Sequence, residues 1–214
     1  MKPYYDDGKG IVLYLADCRE ETSWLTADVL VCDPPYGMAY ESSWTTRRPI
    51  AGDRDAGLRD DVLSRWGDRP ATVFGTWRVH RPRAVRQLVT WFKASVGPGM
   101  GDLTMPWGNA TEEIYILGAG WHGRRRPNLI TTSEQRGNPY GSAALLGHPT
   151  PKPLGLMTEI LECAPPGMIA DPFAGVGSTL LAARNVGRHA IGVELVEKYA
   201  ETAAERLSQE VLAL

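Results

Sequence analysis

The chain has 214 residues, 43% hydrophobic and 22% charged, with a formal net charge of -2. That length suits one well-buried domain over 1–214, and the composition excludes disordered, fibrous and membrane-spanning classes, because no apolar run approaches the roughly 20 residues a bilayer span needs. Three widely spaced cysteines (Cys18, Cys32, Cys163) predict neither a disulfide framework nor a metal site, and "MKPYYDDGKG" lacks the apolar core of a secretion signal, so a cytoplasmic protein is expected.

In chain order, short runs rich in β-branched and aromatic residues predict strands at "IVLYL" (11–15), "DVLVC" (28–32), "ATVFGTW" (71–77), "QLVTWF" (87–92) and "EIYIL" (113–117), then at "GMIAD" and "HAIGVEL". Apolar residues at helical spacing predict helices over 154–164, 178–187 and 196–212. Alternation of the two implies an α/β fold with a mostly parallel, doubly wound sheet. Residues 38–57 and 118–153 break the rhythm and read as long Gly-, Pro- and Arg-rich loops, a kind usually kept for function.

Charge is segregated along the chain. Residues 76–93 hold five basic side chains (Arg78, Arg81, Arg83, Arg86, Lys93) and no acid, and "WHGRRRP" adds Arg124, Arg125 and Arg126. Five glutamates between Glu194 and Glu210 face only Lys198 and Arg206. Such asymmetry suits a protein with one phosphate-facing side.

The densest signal is "MIADPFAGVGSTLLAARNVGRHAIGVEL". A strand ends on Asp171, a turn carries Gly175 and Gly177, a helix begins near Ser178, and a second strand ends on Glu194. Glycines let a ligand approach the backbone, a helix start offers unpaired N–H groups, and an acid ending the next strand can accept both hydroxyls of a ribose. Glu194 lies 17 positions beyond Gly177, close to the dinucleotide spacing, so a nicotinamide cofactor is one reading. Leu180 stands where that fingerprint has its third glycine. S-adenosylmethionine, with a ribose, no pyrophosphate and cationic groups to suit Asp171, is the better match.

Four motifs, "DPPY" (33–36), "HPTPKP" (148–153), "DPFAGVGST" (171–179) and "GVEL" (192–195), occur in that order. The set resembles the amino-methylating DNA methyltransferases of the β-class permutation, in which the catalytic tetrapeptide precedes the cofactor loop. The resemblance implies a Rossmann-like, S-adenosylmethionine-dependent methyltransferase fold with circularly permuted motifs and one antiparallel edge strand. It implies a cofactor pocket formed by Asp33, Asp171, Phe173, Ala174, Gly175, Gly177, Ser178 and Thr179, with Glu194 and Leu195 at the ribose. Asp17 would lie near the adenine edge, and His148, Thr150 and Lys152 would flank the methionine end. Ala16 departs from the family's usual glycine.

That family's chemistry accounts for Asp33, Pro34, Pro35 and Tyr36 as the catalytic set. An exocyclic amine is a poor nucleophile because its lone pair is delocalised into the ring. A carboxylate at Asp33 and the Pro34 carbonyl can each accept an amine N–H, prolines hold that geometry, and Tyr36 can stack on a base extruded from double-stranded DNA. Asp in the first tetrapeptide position favours adenine N6; cytosine N4 is the alternative, and an oxidoreductase or a silent DNA-binding module are remoter ones. DNA contacts are expected from loops 38–57 and 118–147 through Arg47, Arg48, Arg124, Arg125 and Arg126. His80, His122 and His189 show no metal spacing. Homodimerisation and a restriction partner are left open.

Overall fold

The computed structural model describes residues 1–36, 56–94, 104–132, 146, 148 and 151–209. A nine-stranded sheet organises them. Its strands are β1 (Tyr5–Asp6), β2 (Ile11–Leu15), β3 (Val29–Cys32), β4 (Ala71–Gly75), β5 (Gln87–Lys93), β6 (Thr111–Leu117), β7 (Leu129–Thr132), β8 (Ile169–Asp171) and β9 (Ala190–Glu194). Their order across the sheet is β1-β2-β9-β8-β3-β4-β6-β5-β7.

Strands β2, β9, β8, β3 and β4 run parallel, as an alternating strand–helix sequence requires. Antiparallel pairing is more extensive than the single edge strand expected. β1 is indeed an antiparallel edge, but β6 is also reversed and sits inside the sheet between β4 and β5. The physical reason is that a chain returning directly from β5 must enter the neighbouring gap head-on.

Period-two alternation sends each strand's residues to two layers. On β3, Val29 and Val31 join one apolar core with Leu13, Leu156, Ile160 and Leu180. Leu30 and Cys32 join the other, with Trp24, Val62 and Trp66. Helices α2 (Leu154–Cys163), α3 (Ser178–Asn185) and α4 (Glu197–Ser208) bury residues in the first layer. Helix α1 (Gly57–Trp66) and a 3-10 turn at Ser23–Thr26 cover the second, where the Trp24 and Trp66 rings stack at 6.0 Å. Among the described residues no helix is long and apolar enough to cross a membrane.

Two predicted boundaries change. Helix α1 was not expected from "GLRDDVLSRW", whose apolar face is thin; Val62 and Trp66, four residues apart, bury it. Strand β7 lies within the supposed 118–153 loop. It forms because Leu129, Ile130, Thr131 and Thr132 pair in parallel with Thr90 to Lys93 of β5, a partner remote in sequence.

Strand β3 leads onward to β4 and β8 onward to β9, so the chain turns away in opposite directions from this adjacent pair. Ligands of open α/β sheets bind in the crevice at the carboxyl ends of such strands.

Candidate active site

Four neighbouring strands deliver a carboxylate each to that edge. Reading across β2, β9, β8 and β3, the side chains are Asp17, two residues beyond Leu15, then Glu194, Asp171 and Asp33. Three inter-strand spacings make this row roughly 14 to 15 Å long. The Ala16 N–H donates to the Glu194 carbonyl at 2.9 Å, which continues the β2–β9 ladder up to Asp17.

The glycine turn lies over the middle of the row. Gly175 has φ +52° and Gly177 φ +79°, both in the left-handed region that glycine tolerates. The Gly175 N–H donates to Glu194 Oε2 at 2.8 Å, and the Val196 N–H to Glu194 Oε1 at 2.8 Å. Glu194 is thereby aimed by the backbone. Burial raises its pKa; those N–H bonds oppose the rise. Ser178 and Thr179, both buried, open α3 directly behind Gly177.

Asp171 is 3% exposed. Burial pushes its carboxyl up to about 7, against the stabilising Thr179 hydroxyl and Phe173 N–H, with the nearby charges of Asp33 and Glu194 adding to the rise. An anion this costly to hold invites a cation beside it. Its Oδ1 accepts the Phe173 N–H at 3.0 Å, which fixes the turn's entry.

His148 stacks edge-on against Tyr199 of α4, ring centroids 4.6 Å apart, and its Nε2 lies 3.4 Å from where a Gly175 Cβ would be. Burial, followed by the charges of Lys152 and Arg206, lowers its pKa to about 4, so the imidazole is neutral at pH 7. Arg206 of α4 donates to the Val176 carbonyl and approaches Ser178 Oγ at 3.5 Å.

At the far end of the row Asp33 sits in a cluster of ionisable groups. Its Oδ1 accepts the Tyr36 hydroxyl at 2.8 Å, and its Oδ2 meets Lys152 Nζ at 2.5 Å. Lys152 Nζ is also 3.2 Å from Glu112 Oε2, and Glu112 Oε1 is held by Lys93. Phe74 roofs the cluster, its ring centroid 4.9 Å from Lys152 Nζ. Burial raises the Asp33 pKa, opposed by Lys152. Burial alone would lower that of Lys152, but Asp33 and Glu112 outweigh it and the net shift is upward.

Asp33, Pro34, Pro35 and Tyr36 therefore share one face of the sheet with Asp171, Phe173, Ala174, Gly175, Gly177 and Glu194. Lys152 reaches Asp33, while His148 reaches the glycine turn. Asp17 is clasped by Arg19, whose hydrogen bonds hold its carboxyl below the usual range. Leu195 is 52% exposed. Thr150, Arg47 and Arg48 lie outside the described residues.

Arg124, Arg125 and Arg126 are not brought to this face. Reversed strand β6 carries the chain to the opposite edge, where a Cβ on Gly118 would meet the Pro70 backbone at the start of β4 and the His122 N–H bonds the Cys163 carbonyl. Arg126 there ties to Glu159 of α2 at 2.7 Å, whereas Arg124 and Arg125 are exposed. Lys93, counted with the basic run, is buried at 5% side-chain exposure and belongs to the Asp33 cluster instead. Glu112 went unnoticed in the sequence; the only signal is a pair of acids opening an otherwise apolar strand.

A family model described as DNA methylase, for the N6 and N4 enzymes, matches residues 77–205. The chain belongs to the N6/N4 DNA methylase family. Among curated relatives, YubD of Escherichia coli (strain K12) is 43% identical over 63 residues, 28% of each chain. Type II methyltransferase M.ScaI of Streptomyces caespitosus is 38% identical over 69 residues, 31% of this chain and 23% of its own. Only a minor part of either relative is thus matched. Solved structures share the fold over far more of their length. An M1.HpyAVI–SAM complex superposes with TM-score 0.65 at 22% identity, covering 92% of this chain and 98% of its own. The cytosine-N4-specific PvuII DNA methyltransferase gives 0.63 at 15% identity, covering 99% and 91%. The Rossmann-like sheet of this family member is accordingly the fold of those DNA methyltransferases.

Proposed function

We propose that this protein transfers a methyl group from S-adenosylmethionine to the exocyclic N6 amine of an adenine extruded from double-stranded DNA. The observation that carries the reading is the row of four carboxylates, with the glycine turn over its centre and Asp33-Pro34-Pro35-Tyr36 at one end. An elongated ligand with a ribose and a cationic middle fits such a row. Glu194, aimed by two N–H groups, would accept the ribose hydroxyls; buried Asp171 would face the cation; neutral His148 would lie at the turn. The solved M1.HpyAVI neighbour is itself a SAM complex.

When bound, the cofactor would supply an electrophilic methyl on sulfur. The chain's own residues do the rest. Asp33 and the Pro34 carbonyl accept the two amine N–H bonds and turn nitrogen's lone pair toward the methyl. As the N–C bond forms and the C–S pair remains on sulfur, the surplus amine proton leaves toward Asp33, whose raised pKa suits it to receive one. Tyr36, braced by Asp33, offers a ring for the base to stack on. Support for a duplex comes from the same edge: Trp77, just past β4, is 69% exposed. The Arg78 guanidinium lies 5.5 Å from its ring centroid.

Cytosine N4 is the second reading, favoured by the likeness to the cytosine-N4-specific PvuII enzyme. The deciding experiment incubates the protein with S-adenosylmethionine and unmethylated DNA, digests to nucleosides and identifies the product by mass. The expected product is 6-methyladenine; 4-methylcytosine would select the second reading, and no methylated base would overturn both.

A further inference from the structure

We propose that Glu112, on the reversed strand β6, is a positioning residue for methyl transfer that acts through Lys152 to keep Asp33 available to the target amine. The inference rests on the methyltransferase reading and adds to it a residue outside the four motifs.

Geometry carries it. Lys152 has three N–H bonds and finds three oxygens, those of Asp33 at 2.5 Å, Glu112 at 3.2 Å and the Tyr36 hydroxyl at 3.4 Å. Tyr36 has one hydroxyl proton and two carboxylates in reach, Asp33 at 2.8 Å and Glu112 at 3.3 Å. Both donors nearest Asp33 are therefore shared with Glu112. Lys93 completes the set on the far side of Glu112. Among the described residues two lysines face two carboxylates, and the Lys93, Lys152, Glu112 and Asp33 side chains are 5%, 6%, 13% and 24% exposed. A cluster this dry stays ionised only while its charges balance.

The sharing matters because Asp33 has two duties that conflict. A buried carboxylate needs a counter-ion to remain charged, yet one captured wholly by a lysine is a weak acceptor for an amine. Glu112 divides the pull of Lys152, so Asp33 keeps its charge and its accepting strength. Among the described residues the ionisable groups facing Asp33 are Cys32 and Tyr36 from its own segment, Lys152 ahead of α2, Glu112 from β6 and, across the site, Asp171 from β8, with Lys93 of β5 behind Glu112.

The signs of two substitutions follow. Glu112→Gln removes the carboxylate that competes for Lys152 and the Tyr36 hydroxyl, so Asp33 is bound harder. The expected result is a fall in kcat on the order of tenfold and an acid limb of the kcat profile displaced downward by about one pH unit, with KM for S-adenosylmethionine unchanged. Lys93→Met takes a cation from Glu112, which then draws harder on Lys152, and the same limb should move upward. Opposite displacements distinguish positioning from a merely structural role, which would lower the folded fraction and leave the limb in place. Both variants are first checked for wild-type near-ultraviolet circular dichroism; if either alone folds, its displacement is decisive. Limbs coincident with wild type, or a lower kcat without displacement, overturn the proposal. A wild type that methylates no base sinks the underlying function, whereas an active wild type with unmoved variant limbs sinks only the role of Glu112.

Discussion

Asp33 and Asp171 are carboxylates on neighbouring strands, the first half-buried and the second buried, and their surroundings differ. Asp33 has Lys152 at 2.5 Å, while Asp171 is stabilised by a hydroxyl and an N–H and titrates near 7. Asparagine at position 33 preserves shape and removes the charge proposed to accept the amine. Asp33→Asn should lower methyl transfer by on the order of a thousandfold, with S-adenosylmethionine affinity nearly intact, as checked by transfer of labelled methyl to DNA and by calorimetry. For Asp171 the sign runs through linkage. Its folded pKa lies above the unfolded value of about 3.9, so the free protein holds a proton there that a cationic ligand must expel. Affinity for S-adenosylmethionine should tighten as pH rises through about 7, by at most tenfold per unit, and Asp171→Asn should flatten that slope.

Among the elements, the β8–turn–α3–β9 unit depends on one close approach. Leu180 of α3 lies over Gly192 of β9, where an added Cβ would meet Leu180 Cδ1 at 2.8 Å and Ala174 Cβ at 3.1 Å. In a dinucleotide fingerprint the helix carries the glycine; here the strand does, which is why Leu180 is accommodated. Gly192→Ala should cost about 1 to 3 kcal/mol, read as a lowered Tm in thermal unfolding. This unit was legible in the letters because turn, cap and strand ends are local chemistry. The same holds for β3, an unbroken apolar run ending at Asp33. By contrast α1 and β7 have weak local patterns, and their partners, Trp24 and β5, lie far away along the chain. Nor could Glu112 be picked out, since its role comes from where antiparallel β6 delivers it, and only one antiparallel edge strand was expected.

Across the whole molecule, charge divides between two edges of the sheet. The carboxylate row, Trp77 and Arg78 share the carboxyl edge with Asp33, and Arg124 and Arg125 stand at the other. Arginine triplets look like phosphate contacts in a sequence, but strand direction decides whether they can meet the same duplex as the catalytic group. Trp77→Ala combined with Arg78→Ala should raise KM for DNA by about tenfold and reduce its salt dependence, an effect larger than that of Arg124→Ala with Arg125→Ala. Equal effects from the two pairs would place the duplex elsewhere.

Helix α4 braces the glycine turn through Ala203, 3.0 Å from where a Gly177 Cβ would stand, and through Arg206 on the Val176 carbonyl. During synthesis Asp33 therefore leaves the ribosome long before the brace on the glycine turn is made. A nascent chain halted after β9 would hold all four carboxylates of the row while its glycine turn still lacked that support, which makes a finished site a late event in the life of the polypeptide.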